Sequence, residues 1–110
     1  MSSNALRAAW VAQAKTLAFA YGPQRVHFNT LSLGGVMTDK YSARLAEMAK
    51  QAGRSFEEQL ASEVANVPLR KYASLDEVAN AVRLLLSDFT DHMTGQNFAF
   101  EGGFFKSYAS

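Results

Sequence analysis

The sequence predicts an α/β fold of two parallel strands with about four helices, forming one end of a larger doubly wound sheet. Three observations carry this. Val26-His27-Phe28-Asn29-Thr30-Leu31-Ser32 alternates like a strand whose two faces are both partly covered, and it runs into Leu33-Gly34-Gly35. A second β-favouring run, Gln96 to Glu101, ends in Gly102-Gly103. Between them apolar residues recur at helical spacing, and strands joined by a helical crossover pair in parallel with a right-handed connection. Two such strands alone have two open edges and little covered area, so they read as part of a wider sheet.

The chain opens with a helix from Asn4 to about Ala20, capped by Ser3 or Asn4 and ended by Gly22-Pro23. One apolar stripe runs Leu6, Trp10, Ala14, Leu17, Tyr21, and a second includes Val11, Ala18 and Phe19. A helix apolar almost all round expects cover on more than one side. The first strand follows. At Gly34-Gly35 no Cβ keeps a ligand from the backbone, and strand ends of open α/β sheets face the ligand crevice. A plain strand-to-helix turn uses glycine equally well. Lys40 to Gln51 is helical, with Leu45, Met48 and Ala49 on one side, and Gly53 stops it. Ser55-Phe56-Glu57-Glu58 is a capping box opening a helix through about Asn66, and Val67-Pro68-Leu69 is extended. Ser74-Leu75-Asp76-Glu77 is another box. Its helix, Leu75 to Ser87, carries Val78, Ala81, Val82, Leu85 and Leu86 on the expected core face. Met93-Thr94-Gly95 is a turn before the second strand, and Phe104-Phe105-Lys106-Ser107-Tyr108 is an aromatic-rich tail. No repeat or linker interrupts the chain, which reads as a single partial domain over residues 1–110.

Composition narrows the function. The formal charge is +1 with acids and bases interspersed, so the clustered positive stripe of a nucleic-acid groove is missing. There is no cysteine and only two histidines, far apart, which argues against disulfides and a metal site. No apolar run approaches the ~20 residues of a membrane span. Ala8 to Ala14 mimics a signal peptide after Arg7, but its apolar core is too short and Lys15 follows. A cytoplasmic protein is the expectation.

A set of short motifs carries more information together than singly. They are Lys15-Thr16-Leu17-Ala18, Gly22-Pro23, Val26-His27-Phe28-Asn29 and Gly34 with Thr38. After them come Val67-Pro68-Leu69-Arg70, Asp76-Glu77-Val78-Ala79, Leu84-Leu85-Leu86-Ser87-Asp88, Thr94-Gly95-Gln96 and Glu101-Gly102-Gly103. In this order and spacing the chain resembles the C-terminal half of a short-chain dehydrogenase/reductase, across essentially its whole length. The resemblance implies a Rossmann-like sheet and an NAD or NADP cofactor. It places Gly34, Val36 and Thr38 beside the nicotinamide ring, with Leu33 where the family has proline. The helix pair from Lys40 to Asn66 corresponds to the variable substrate lid, with Met48, Phe56 and Leu60 either lining its inner wall or simply packing. The family's glycine-rich phosphate loop has no counterpart here: no G-x-G-x-x-G occurs. Dinucleotide binding by this chain alone is therefore expected to be weak or absent.

The family's catalytic Tyr-x-x-x-Lys falls on Ser3 and Arg7. A tyrosine of ordinary pKa near ~10 can be tuned toward neutrality by a nearby cation. A serine hydroxyl is far less acidic and needs a separate base that the sequence does not show, so Ser3 reads as a helix cap ahead of a catalytic group. Arg7 keeps the positive charge and can reach ribose hydroxyls, or can sit on a solvated helix face, though its planar fork does not replace lysine. Tyr21-x-x-x-Arg25 has similar spacing, but Gly22-Pro23 breaks the helix that would align it. His27 and His92 lack a neighbouring acid–nucleophile pattern and read as structural or surface residues. Two function classes follow. One is a divergent oxidoreductase domain, truncated and not competent alone, completed by a missing N-terminal half. The other is a non-catalytic homo-oligomerisation module, or a truncated product without a separate role.

Overall fold

The structure, a computed structural model, describes residues 3–104, with side chains from residue 5 onward. Its elements are α1 (Ser3–Tyr21), β1 (Thr30–Leu33), α2 (Asp39–Ala52), α3 (Phe56–Glu63), α4 (Leu75–Leu85) and β2 (Asn97–Phe100). β1 and β2 form one two-stranded sheet. The Thr30 N–H donates to the Gln96 carbonyl at 2.9 Å and the Gly34 N–H to the Phe100 carbonyl at 3.1 Å. The register advances equally along both strands, from 30 to 34 and from 96 to 100, as a parallel pair requires. The α/β fold with two parallel strands and four helices is thus present. The described residues form two compact units, one of 3–32 with 81–99, the other of 33–80 with 100–104.

In the first unit, α1 buries Ala14 and Ala18 and half-buries Val11 and Leu17. Small residues suit this face because the turn before β2 comes close: a Cβ on Gly95 would lie 3.1 Å from Ala18 Cβ. Cover reaches only that stripe. Trp10 (69%) and Phe19 (79%) stay exposed among the described residues, and the cover expected for them is a second copy or a missing domain.

β1 begins later than the alternation predicts, at Thr30 and not Val26. Arg25 takes a left-handed backbone (φ 60) after the Gly22–Gln24 turn, and the Val26 N–H turns back to Tyr21. Residues 27–29 then satisfy their polar groups outside the ladder. His27 Nδ1 donates to the Met93 carbonyl (2.8 Å), and the Phe28 N–H donates to Thr94 Oγ1 (2.9 Å). Asn29 Oδ1 accepts from the Gln96 N–H (3.1 Å). The exposed His27 ring thus ties this stretch to the turn before β2. Further along the sheet Asn97 Oδ1 accepts from both Thr30 Oγ1 and Ser32 Oγ, each at 2.7 Å.

In the second unit, α2 and α3 pack around Leu45, which is wholly inaccessible, with Ala49, Val64 and Val67 buried nearby. The capping box at the start of α3 forms fully, Ser55 Oγ and Glu58 exchanging backbone bonds at 3.1 Å. Those bonds hold the Glu58 carboxyl below its ordinary range. α3 stops at Glu63, short of the predicted Asn66, because the Val67 N–H folds back to Val64 (3.0 Å) ahead of Pro68. The box opening α4 also forms: Ser74 Oγ accepts from the Glu77 N–H and Glu77 from the Ser74 N–H. An ion pair with Lys71, followed by that box, holds the Glu77 carboxyl low. From residue 81 on α4 belongs to the first unit, and it ends at Leu85, not Ser87, where the Thr90 hydroxyl meets the Leu85 carbonyl (2.9 Å). Of its expected core face, Val78, Ala81 and Leu85 are half-buried, while Val82 and Leu86 are exposed.

Candidate functional site

The segment from Leu33 to Thr38 leaves β1 and enters α2, and its geometry follows from a single parallel bridge. The Ala73 N–H donates to the Gly35 carbonyl (3.0 Å) and the Met37 N–H to the Ala73 carbonyl (2.8 Å), which registers Val36 against Ala73. In such a bridge the middle residue of the straddling strand turns its own N–H and C=O away from the partner. The Val36 carbonyl accepts from the Thr38 N–H at 3.0 Å. Its N–H has no hydrogen-bond partner among the described residues. Thr38 then caps α2, its Oγ1 accepting from the Tyr41 N–H at 3.1 Å. A threonine hydroxyl that accepts still has a proton to donate. An outward backbone donor and a hydroxyl two residues later form a short polar edge suited to an amide or a ribose.

The two glycines have reasons of their own. Neither has a positive φ. A Cβ on Gly34 would lie 2.7 Å from Glu101 Cβ, and one on Gly35 would overlap the Tyr72 ring. Close approach of the chain to itself accounts for both without any ligand. Leu33, which stands where a proline was expected, is partly exposed (38%).

Gly34, Val36 and Thr38 thus share one segment of the second unit. Ser3 and Arg7 belong to α1 in the first unit. Arg7 is exposed, and the Ser3 side chain lies outside the described residues, as does the tail from Phe105. Met48, Phe56 and Leu60 are half-buried on α2 and α3. His92 is exposed, and no metal-holding cluster occurs among the described residues. No helix among them is long and apolar enough to cross a membrane.

Sequence reasoning missed a polar cluster behind the segment. Glu63 accepts from Tyr41 Oη at its Oε2 and from Gln59 Nε2 at its Oε1, both 3.3 Å, and its carbonyl accepts from Tyr72 Oη at 3.3 Å. Burial first, then Tyr72 and Glu63, push the Tyr41 phenol up to about 12. No local motif links residues 41, 59, 63 and 72.

Residues 2–105 match the family model described as Enoyl-(Acyl carrier protein) reductase. The chain is 31% identical over 93 residues to D-erythrulose reductase of Gallus gallus, covering 84% of this chain and 34% of that protein. Among solved structures, a short chain dehydrogenase family protein from Francisella tularensis is 33% identical with a TM-score of 0.73, over 88% of this chain and 40% of that one. L-sorbose reductase from Gluconobacter frateurii, complexed with NADPH and L-sorbose, is 26% identical with a TM-score of 0.83, over 94% and 40%. The chain spans 34% to 41% of the length of the first curated relatives it matches.

Proposed function

Since the chain belongs to the short-chain dehydrogenase/reductase family, we propose that residues 33–38 form the nicotinamide-side wall of an NAD(P)-dependent oxidoreductase. The outward Val36 N–H, with the Thr38 hydroxyl two residues on, is the observation that carries this reading. These two donors fit the carboxamide and ribose edges of a nicotinamide nucleotide, and Gly34 lets the strand end pack against Glu101. When bound, the cofactor supplies or accepts the hydride. The chain's own part is to orient it. α2 and α3 form the substrate lid, with Met48, Phe56 and Leu60 on its inner side.

Ser3 and Arg7 occupy the positions of the family tyrosine and lysine. Arg7 fits a contact with ribose hydroxyls, since its guanidinium presents several donors. Ser3 is poorly suited to proton transfer, because an unassisted serine hydroxyl is too weak an acid. The pyrophosphate requires a glycine-rich cradle at a helix N-terminus. The 110 residues contain no such motif, so that part of the site comes from elsewhere: a further segment or a separate subunit.

Isothermal titration of the 110-residue chain with NADH and NADPH tests this division. Weak or undetectable binding is expected, and micromolar or tighter affinity would contradict it. A second reading, a homo-oligomerisation module, draws on the exposed Trp10 and Phe19 of α1. Sedimentation velocity distinguishes it: a monomer at micromolar concentration removes it.

A further inference from the structure

We propose that Glu63 is a positioning residue that makes the turn of residues 35–38 and helix α3 order and loosen together. The proposal deepens the cofactor-wall reading and rests on it for its use in the reaction, not for its existence.

Two routes lead from the turn to Glu63. One starts at Gly35, against which the Tyr72 ring is pressed, and continues through Tyr72 Oη to the Glu63 carbonyl (3.3 Å). The other starts at Thr38, whose Oγ1 accepts from the Tyr41 N–H, and continues through Tyr41 Oη to Glu63 Oε2 (3.3 Å). The rings of Tyr41 and Tyr72 meet edge to face with centroids 5.6 Å apart, so neither route moves alone. On the lid side, Gln59 Nε2 donates to the remaining Glu63 oxygen (3.3 Å). Gln59 is buried (6% exposed), and its Oε1 has no hydrogen-bond partner among the described residues. Its amide is thus anchored through Glu63. Burial keeps the Tyr41 phenol protonated far beyond neutral pH, so it remains a donor. Glu63 closes α3 and holds both tyrosines. A ligand pressing on Val36 or Thr38 is therefore registered at the lid, and a substrate under the lid is registered at the turn.

Native-state hydrogen exchange of the 110-residue chain, without cofactor, tests the coupling. The reporters are the Met37 and Ala73 amides, which bond across the turn, and the Val64 amide, which bonds to Leu60 at the end of α3. Glu63→Ala keeps the carbonyl that Tyr72 bonds but removes the carboxylate that holds Tyr41 and Gln59, and through that route it should speed all three by a similar factor, roughly tenfold. The Thr30 amide, in the first unit, should stay unchanged. Glu63→Gln should restore slow exchange, because its Oε1 still accepts from Tyr41 and its amide donates to Gln59 Oε1 once that group flips. A faster Val64 with unchanged Met37 and Ala73 would overturn the proposal, as would Glu63→Gln being as damaging as Glu63→Ala. If Glu63→Ala does not fold, Tyr41→Phe removes only a hydroxyl and gives the same comparison: joint acceleration supports coupling, acceleration on one side refutes it. With no cofactor present, failure here leaves the cofactor-wall reading standing, and NADPH bound tightly or away from Val36 and Thr38 would sink that reading while leaving the coupling standing.

Discussion

A methyl group at Gly34 would sit 2.7 Å from Glu101 Cβ and 2.9 Å from its Cα, and neither atom belongs to a flexible tip. Gly34→Ala should therefore destabilise by about 1–3 kcal/mol, read as a lower denaturation midpoint at constant slope. Gly22→Ala meets nothing within 4 Å and should stay within about 0.5 kcal/mol of the parent. Tyr41 makes a prediction in alkali. Its pKa rises from 10.0 to about 12 on folding, so its share of stability is whole below pH 10 and lost as pH climbs through 12. Denaturation midpoints should fall across that window, and less steeply in Tyr41→Phe. Gly34 was legible in the sequence as a strand-ending glycine. The reason for it was not, since Glu101 lies far along the chain. Tyr41 and Glu63 are 22 residues apart, and no period or motif pairs a phenol with a carboxylate at that distance.

At the scale of elements, both Ser-x-x-Glu boxes were readable because a capping box is complete within four residues. Ser55→Ala and Ser74→Ala should each cost about 0.5–2 kcal/mol, and the double variant should lose the sum if the two helix starts are independent. Urea melts of the three variants check this. The start of β1 was not readable. Val26 to Asn29 have strand-like composition, but Arg25 turns the chain at φ 60, the His27 and Asn29 side chains bond the Met93 carbonyl and the Gln96 N–H, and Thr94 Oγ1 takes the Phe28 N–H. The core face of α4 was half readable. Its period is right, but exposure of Val82 and Leu86 depends on what lies opposite, and a helical period only names a face. α1 gives the last prediction at this scale. Trp10→Lys with Phe19→Lys should leave a monomeric chain within about 1 kcal/mol of its stability, because both side chains are already wet. If α1 forms the association face, the same pair should abolish any self-association seen by sedimentation.

For the whole molecule, family membership was legible because many weak motifs fall in one order along the chain. Their joint spacing constrains far more than any single glycine pair. The proposed part of the chain in holding a nucleotide was less legible from the residues themselves, because the proposed donors are a backbone N–H and a capping hydroxyl. The orientation of Val36 is set by Ala73, on a separate stretch that returns beside it. The central claim is that residues 33–38 face the nicotinamide while the phosphates are held by residues not in this sequence. Amide chemical-shift mapping of the 110-residue chain at millimolar NADPH tests it most directly. The account predicts small, unsaturated perturbations centred on Gly34, Val36 and Thr38, with little change around Gly102 and Gly103. Saturable perturbations centred elsewhere, or none at Val36 and Thr38, would contradict it.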